Sequence, residues 1–201
     1  MELEYSSKQA VLKHFARLPF EQWKVSDLES NSSMIPFLKQ FEGKNMYDLL
    51  IYLMEISFSL IVQKIEPIID GDSLPSQKLY DLSKAFVHFG YTEPDAYRIA
   101  FLIRPQSNEH EHFPVESAIR FRVLIRKVFR LLIQQVQSLK NIPIELQSQG
   151  LMCLLNGIVV STLSLQRMEL IELEKLSDYT ITNYLHGISN IYFPAYSAID
   201  K

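Results

Sequence analysis

The chain has 201 residues, 47% of them apolar, and a net charge of −3, an ordinary balance for one large globular domain or two small ones. That charge supplies no global attraction for nucleic acid or acidic lipid, and the single cysteine, Cys153, excludes an internal disulfide and a cysteine-based zinc site. The opening MELEYSSKQ is acidic and polar, unlike a secretory signal, and the most apolar run, Met46 to Ile65, carries Asp48, Glu55 and Lys64, which argues against a membrane span.

The spacing predicts helices throughout. Ser7 to Leu18 reads as the first, with Val11, Leu12, Phe15 and Leu18 on one face and Pro19 as its stop. Trp23 and Val25 lead into a short helix over Ser26 to Ser30, with Leu28 facing inward. Asn31, Ser32 and Ser33 form a polar break, each a good N-cap, and a third short helix follows from Met34 to Phe41, with Gly43 past its end. Asn45 is placed to cap a long helix that runs to about Glu66, where Pro67 stops it. Leu79, Leu82, Phe86 and Phe89 fall at i, i+3, i+7 and i+10 on one helical face, and Gly90 fits the stop of that helix. Thr92 with Asp95 resembles a capping box, and Pro94 suits the first turn of a helix on which Tyr97, Ala100 and Phe101 point one way. Gln106 to Phe113 is a polar loop. Val115 to Leu139 reads as a long helix with an apolar stripe through Phe121, Leu124, Val128 and Leu132, while Arg122, Arg126 and Arg130 repeat on another side. Asn141 and Pro143 open a helix whose Leu151 to Leu165 segment is nearly all apolar, and Ser177 is placed to cap the last helix, ending near Ile188.

The order helix, short helix, turn, short helix, long helix carries a resemblance. Val11 to Leu50 resembles the N-terminal domain of the TetR family of transcription regulators, with Phe15, Val25-x-x-Leu28, Phe41 and Gly43-Lys44 in the matching places. Ala85-Phe86-Val87 and Glu93-Pro94-Asp95-Ala96-Tyr97 resemble an aromatic helix and corner found in ligand domains of that family. The resemblance implies an all-α fold: a three-helix helix-turn-helix domain over residues 1–48, and a helical ligand-binding and dimerisation domain over 49–201. This sequence departs from the pattern in five ways. The chain is about two residues shorter between Leu28 and Ser33, and Leu38 and Gln40 stand where the family has an aromatic pair. Ser30-Asn31-Ser32 replaces the usual small-residue turn, Pro36 sits inside the third helix, and Met1 to Asp48 holds six basic against seven acidic residues, a net −1.

The resemblance assigns DNA contact to the third helix and the residue opening the next: Ser33, Met34, Lys39, Gln40 and Lys44. Ser33, Lys39 and Lys44 are suited to phosphate, and Gln40 to a base edge or phosphate. Phe58, Phe86, Phe89, Tyr97, Phe101, Phe129 and Asn156 are candidates to line an apolar cavity for a small-molecule effector; the plain alternative is a core filled by its own side chains. Leu154, Gly157, Ile158, Ser161, Leu165, Tyr184 and Ile188 are candidates for a four-helix homodimer interface, because their helix is apolar around too much of its circumference for a surface helix. The arginine row, within a segment of local charge +5, reads as a solvated face, with an anionic ligand or DNA as the alternative. Glu109-His110-Glu111-His112 reads as a solvated loop rather than metal ligands.

The expectation is therefore a cytoplasmic, ligand-responsive, homodimeric regulator, a repressor, whose partners are a double-stranded DNA operator, a second copy of itself and an apolar effector. No catalytic residues, metal, cofactor or membrane are expected. Two rivals stand beside it: a protein of TetR fold that has lost DNA binding and holds a lipid or other apolar molecule, and a module whose apolar helices pack on another protein.

Overall fold

The computed structural model describes residues 5–30, 32–35, 37, 41, 44–104, 114–136, 139–164 and 172–189. Among these the chain is all-helical with no strand. The α-helices are α1 (Tyr5–Phe15), α2 (Met46–Asp70), α3 (Pro75–Thr92), α4 (Pro94–Phe101), α5 (Glu116–Gln135), α6 (Ile144–Ser164) and α7 (Leu173–Ser189). Two 3-10 helices, Phe20–Gln22 and Val25–Ser30, follow α1. The helix expected over Ser26 to Ser30 is thus of the tighter kind, which is common only in short pieces.

The chain separates into two compact units, Met1–Leu60 with Glu93–Ile119, and Ile61–Thr92 with Arg120–Lys201. Each is discontinuous in sequence, whereas the sequence reading divides the chain once, after Asp48.

The first unit is organised around aromatic side chains. Phe15 is fully buried and lies 4.8 Å from Trp23, which packs in turn on Phe20 at 5.3 Å. Trp23 donates its indole N–H to the Leu18 carbonyl, so its polar edge is satisfied despite burial. Leu28, Met34, Phe37 and Phe41 are also buried, and Tyr52 takes both Phe37 and Phe41 edge-on at 5.9 and 5.2 Å. α1 packs against α4, where Gln9 donates to Glu93 at 3.2 Å. The expected cap of α2 is present and reciprocal: Asn45 Oδ1 accepts from the Asp48 N–H, and Asp48 Oδ2 accepts from the Asn45 N–H, both at 3.0 Å.

Four expected helix signals turn out differently. α2 runs through Pro67 to Asp70, because one missing backbone donor near a helix end removes a single bond. Its end is held instead by Gly71 N–H to the Pro67 carbonyl and by the buried Lys78 ammonium, which donates to the Ile69 carbonyl at 2.6 Å. Gly90 does not stop α3, which continues to Thr92. A Cβ placed on it would meet both methyls of Val159, at 2.4 and 2.8 Å, so this glycine lets α3 approach α6. Thr92 does not cap α4; its hydroxyl bonds back to the His88 carbonyl, and Glu93 precedes α4 without a side-chain cap, Pro94 taking the first helical position as expected. Ser177 lies inside α7, buried, donating to the Glu174 carbonyl and accepting from Lys84.

In the second unit α3 packs on α6 and α7, and α6 on α7. Leu79, Leu82, Phe86 and Phe89 are all buried, as their spacing predicts. A polar seam ties α3 to α7: Tyr80 donates to Asp178 at 2.8 Å, and Lys84 pairs with the same carboxylate at 2.5 Å. Tyr184 on α7 donates to the Gln147 carbonyl on α6.

Three tyrosines carry a consequence for pH. Burial, then the bond to Asp178, raises the Tyr80 phenol above its ordinary 10.0. Burial alone raises Tyr97, and burial followed by the charge of Cys153 raises Tyr184. The fold thus holds these protons more tightly than the unfolded chain does. Their contribution is fully present below the ordinary tyrosine pKa and is lost as pH rises through and beyond it. The denaturant midpoint should fall steadily above about pH 10. Tyr97→Phe should flatten that fall, and an unchanged slope would contradict the assignment.

Candidate functional site

The residues assigned to DNA contact do not share one fate. Ser33 is half-buried in a turn. Met34 is 1% exposed, so it is a core side chain and not available to a base. Lys39 and Gln40 lie outside the described residues. Lys44 is exposed, and its ammonium stands 4.9 Å from the centre of the Phe41 ring. The Lys44 N–H donates to the Phe41 carbonyl, so the turn that buries Phe41 also presents Lys44.

Beside Lys44 is an open groove of about 510 Å3, bordered by Phe41, Ile51, Tyr52, Asp48, Glu55 and Glu116 among others. Its acids are partly spent on structure. Glu55 accepts the Ser117 N–H at 3.1 Å and the Ser117 hydroxyl, capping the first turn of α5, where carboxylates are favoured. Asp48 belongs to the α2 cap. The groove is nevertheless acidic, which opposes phosphate.

The seven effector candidates divide between the two units. Phe58, Tyr97 and Phe101 belong to the first unit, with Phe101 5.1 Å from Phe58 and 5.2 Å from Tyr97. Phe86, Phe89, Phe129 and Asn156 belong to the second; Phe86 meets Phe121 at 6.0 Å, and Phe89 and Phe129 have no exposure. Asn156 bonds its own helix at the Met152 carbonyl. Phe58, Phe86, Phe89, Tyr97 and Phe129 are core side chains, and Phe101 is half-buried.

Of the dimer candidates, Ile158 is buried within its own chain, on the stripe of α6 shared with Leu151 and Leu155, and cannot meet a partner. Gly157 faces open space, with nothing within 4 Å of a Cβ built there. Leu154, Ser161, Tyr184 and Ile188 are half-buried, and Leu165 lies outside the described residues. α6 is long and apolar enough by length and composition to cross a membrane, yet only 33% of that window is buried. Among the described residues, Met152, Leu154, Val160 and Leu163 on it are only half-buried, and Leu146 is exposed. The Glu109 to His112 cluster also falls outside the described residues.

Sequence reasoning missed a niche between α5 and α6. About 150 Å3 in volume, it is floored by Phe121, Ile125 and Met152 and edged by Arg122, Arg126 and Ser148. The arginine row was its only signal in the sequence.

Comparison with known proteins gives no relative: no protein-family model matches the chain, and no curated protein matches it.

Proposed function

We propose that this protein is a DNA-binding transcription regulator, working as a homodimer of TetR-like fold and responding to a small molecule. The observation that supports it best is the sorting of the residues that carry the resemblance. Phe15, Leu28 and Phe41 are buried in one small aromatic head, while Lys44 is exposed at the capped start of the long α2. In a reading head of this kind the apolar positions hold the short helices together and the lysine meets a phosphate. A dimer would hold two such heads about 34–36 Å apart, one turn of DNA. An effector preferring another spacing would weaken operator binding by its differential affinity for the two states. The partly exposed apolar face of α6, flanked by Gly157, is the surface a second copy would cover.

The test is a salt titration of binding to duplex from upstream of the gene. Lys44→Ala should weaken binding by a similar factor on every sequence and reduce the salt slope by about 1. A wild-type protein without affinity for that duplex even near 50 mM salt contradicts the proposal. The acidic groove beside Lys44 favours one alternative, a protein of this fold that binds a small molecule and no DNA. That reading predicts a co-purified apolar molecule and no shift of any duplex.

A further inference from the structure

Five basic residues lie on α5: Arg120, Arg122, Arg126, Lys127 and Arg130. Arg120 pairs with Glu66, and Lys127 with Asp70 at 2.7 Å, close enough to hold the Asp70 carboxyl below its ordinary range. Arg122 has no hydrogen-bond or ion-pair partner among the described residues, and Arg126 reaches Glu145 only at 4.0 Å, too long for a hydrogen bond. Of the guanidiniums on α5 without a close partner among the described residues, Arg122 and Arg126 edge the α5–α6 niche, and Arg130 does not line it. Its floor is apolar: Phe121 and Ile125 are buried at 3% and 2% exposure, and Met152 is half-buried. Ser148 donates to the Glu145 carbonyl, which leaves its oxygen as an acceptor; the charged donors at the rim are the two arginines, with the Gln149 amide beside them.

We infer that this niche binds a small aromatic carboxylate. The volume is about that of an apolar cavity known to take one benzene ring. Arginine's planar fork matches a carboxylate with two parallel bonds, and an apolar floor beneath it adds contact area for the ring. Inorganic anions would gain nothing from Phe121, Ile125 and Met152, and a neutral aromatic would leave the guanidinium charges unmatched. The site is independent of the DNA-binding proposal, since its occupancy is read on the free protein.

The experiment is a titration of the full chain, followed by ligand-observed saturation-transfer NMR and calorimetry, with three probes. Benzoate supplies ring and charge, benzamide the ring alone, and acetate the charge alone. Benzoate should bind, and benzamide and acetate should each bind at least about tenfold more weakly. Arg122→Gln, a change at an exposed position, should weaken benzoate about tenfold or more. Met152→Trp, which fills the niche, should remove benzoate binding and leave acetate unaffected. The inference is overturned by any one of three results: no benzoate saturation at about 10 mM, equal binding of benzoate and benzamide, or unchanged benzoate affinity in a folded Arg122→Gln or Met152→Trp protein.

Discussion

Gly90→Ala should destabilise the protein by up to about 2 kcal/mol, although alanine is the better helix former. In an open helix the exchange would gain about 1 kcal/mol. Here the new methyl would stand 2.4 Å from Val159 Cγ1 and 2.8 Å from Cγ2. Valine is branched at Cβ and stiff about χ1, so it cannot swing both methyls away, and α3 and α6 would have to part. Overpacking of this kind costs about 1–3 kcal/mol. Val159→Ala removes the obstruction, and in the double variant the methyl of residue 90 would occupy the vacated space. Chemical denaturation of the four proteins should therefore give a favourable coupling of about 1–3 kcal/mol. Additive effects would mean that the α3–α6 approach is not limited by this pair.

Phe15→Ala should have the larger effect, about 3–5 kcal/mol. Phe15 is fully buried, and its loss would leave a cavity against Trp23. Against a total stability of about 5–15 kcal/mol, that is a large fraction. Trp23 is the chain's single tryptophan and is 4% exposed, so its emission reports this region without labels. The emission midpoint in urea should fall well below that of the native protein. A fall of less than about 1 kcal/mol would place Phe15 outside the core of the head.

What could be read from the sequence was what depends on neighbours a few residues away. The Asn45–Asp48 cap is such a case, since both partners lie within one turn and need nothing from the rest of the fold. The apolar faces of α3 and α5 are another, because spacing along a helix fixes which side chains share a side. Gly90 was misread for the opposite reason. A glycine near the end of an apolar stripe is usual at a helix stop, and nothing local shows that Val159 comes to rest against it. Ser177 and Thr92 were misread alike: each is a fair cap by type, but each hydroxyl is engaged with a carbonyl of its own helix. The candidate site shows the same limit more sharply. Spacing identified Phe86, Phe89, Tyr97 and Phe101 as inward-facing; the first three are buried and Phe101 is half-buried. Whether inward-facing rings meet one another, a cavity or a filled core depends on partners distant in sequence. The niche at Arg122 and Arg126 needed two helices to be seen at once.

The central claim is that two copies of this chain read one stretch of duplex DNA. Sedimentation velocity on a fluorescent duplex from upstream of the gene, titrated with protein at low and moderate salt, tests both parts together. The account predicts a complex carrying two chains, each of 23.4 kDa, that dissociates as salt is raised. Free duplex at every protein concentration, with the protein sedimenting as a single chain, would contradict it.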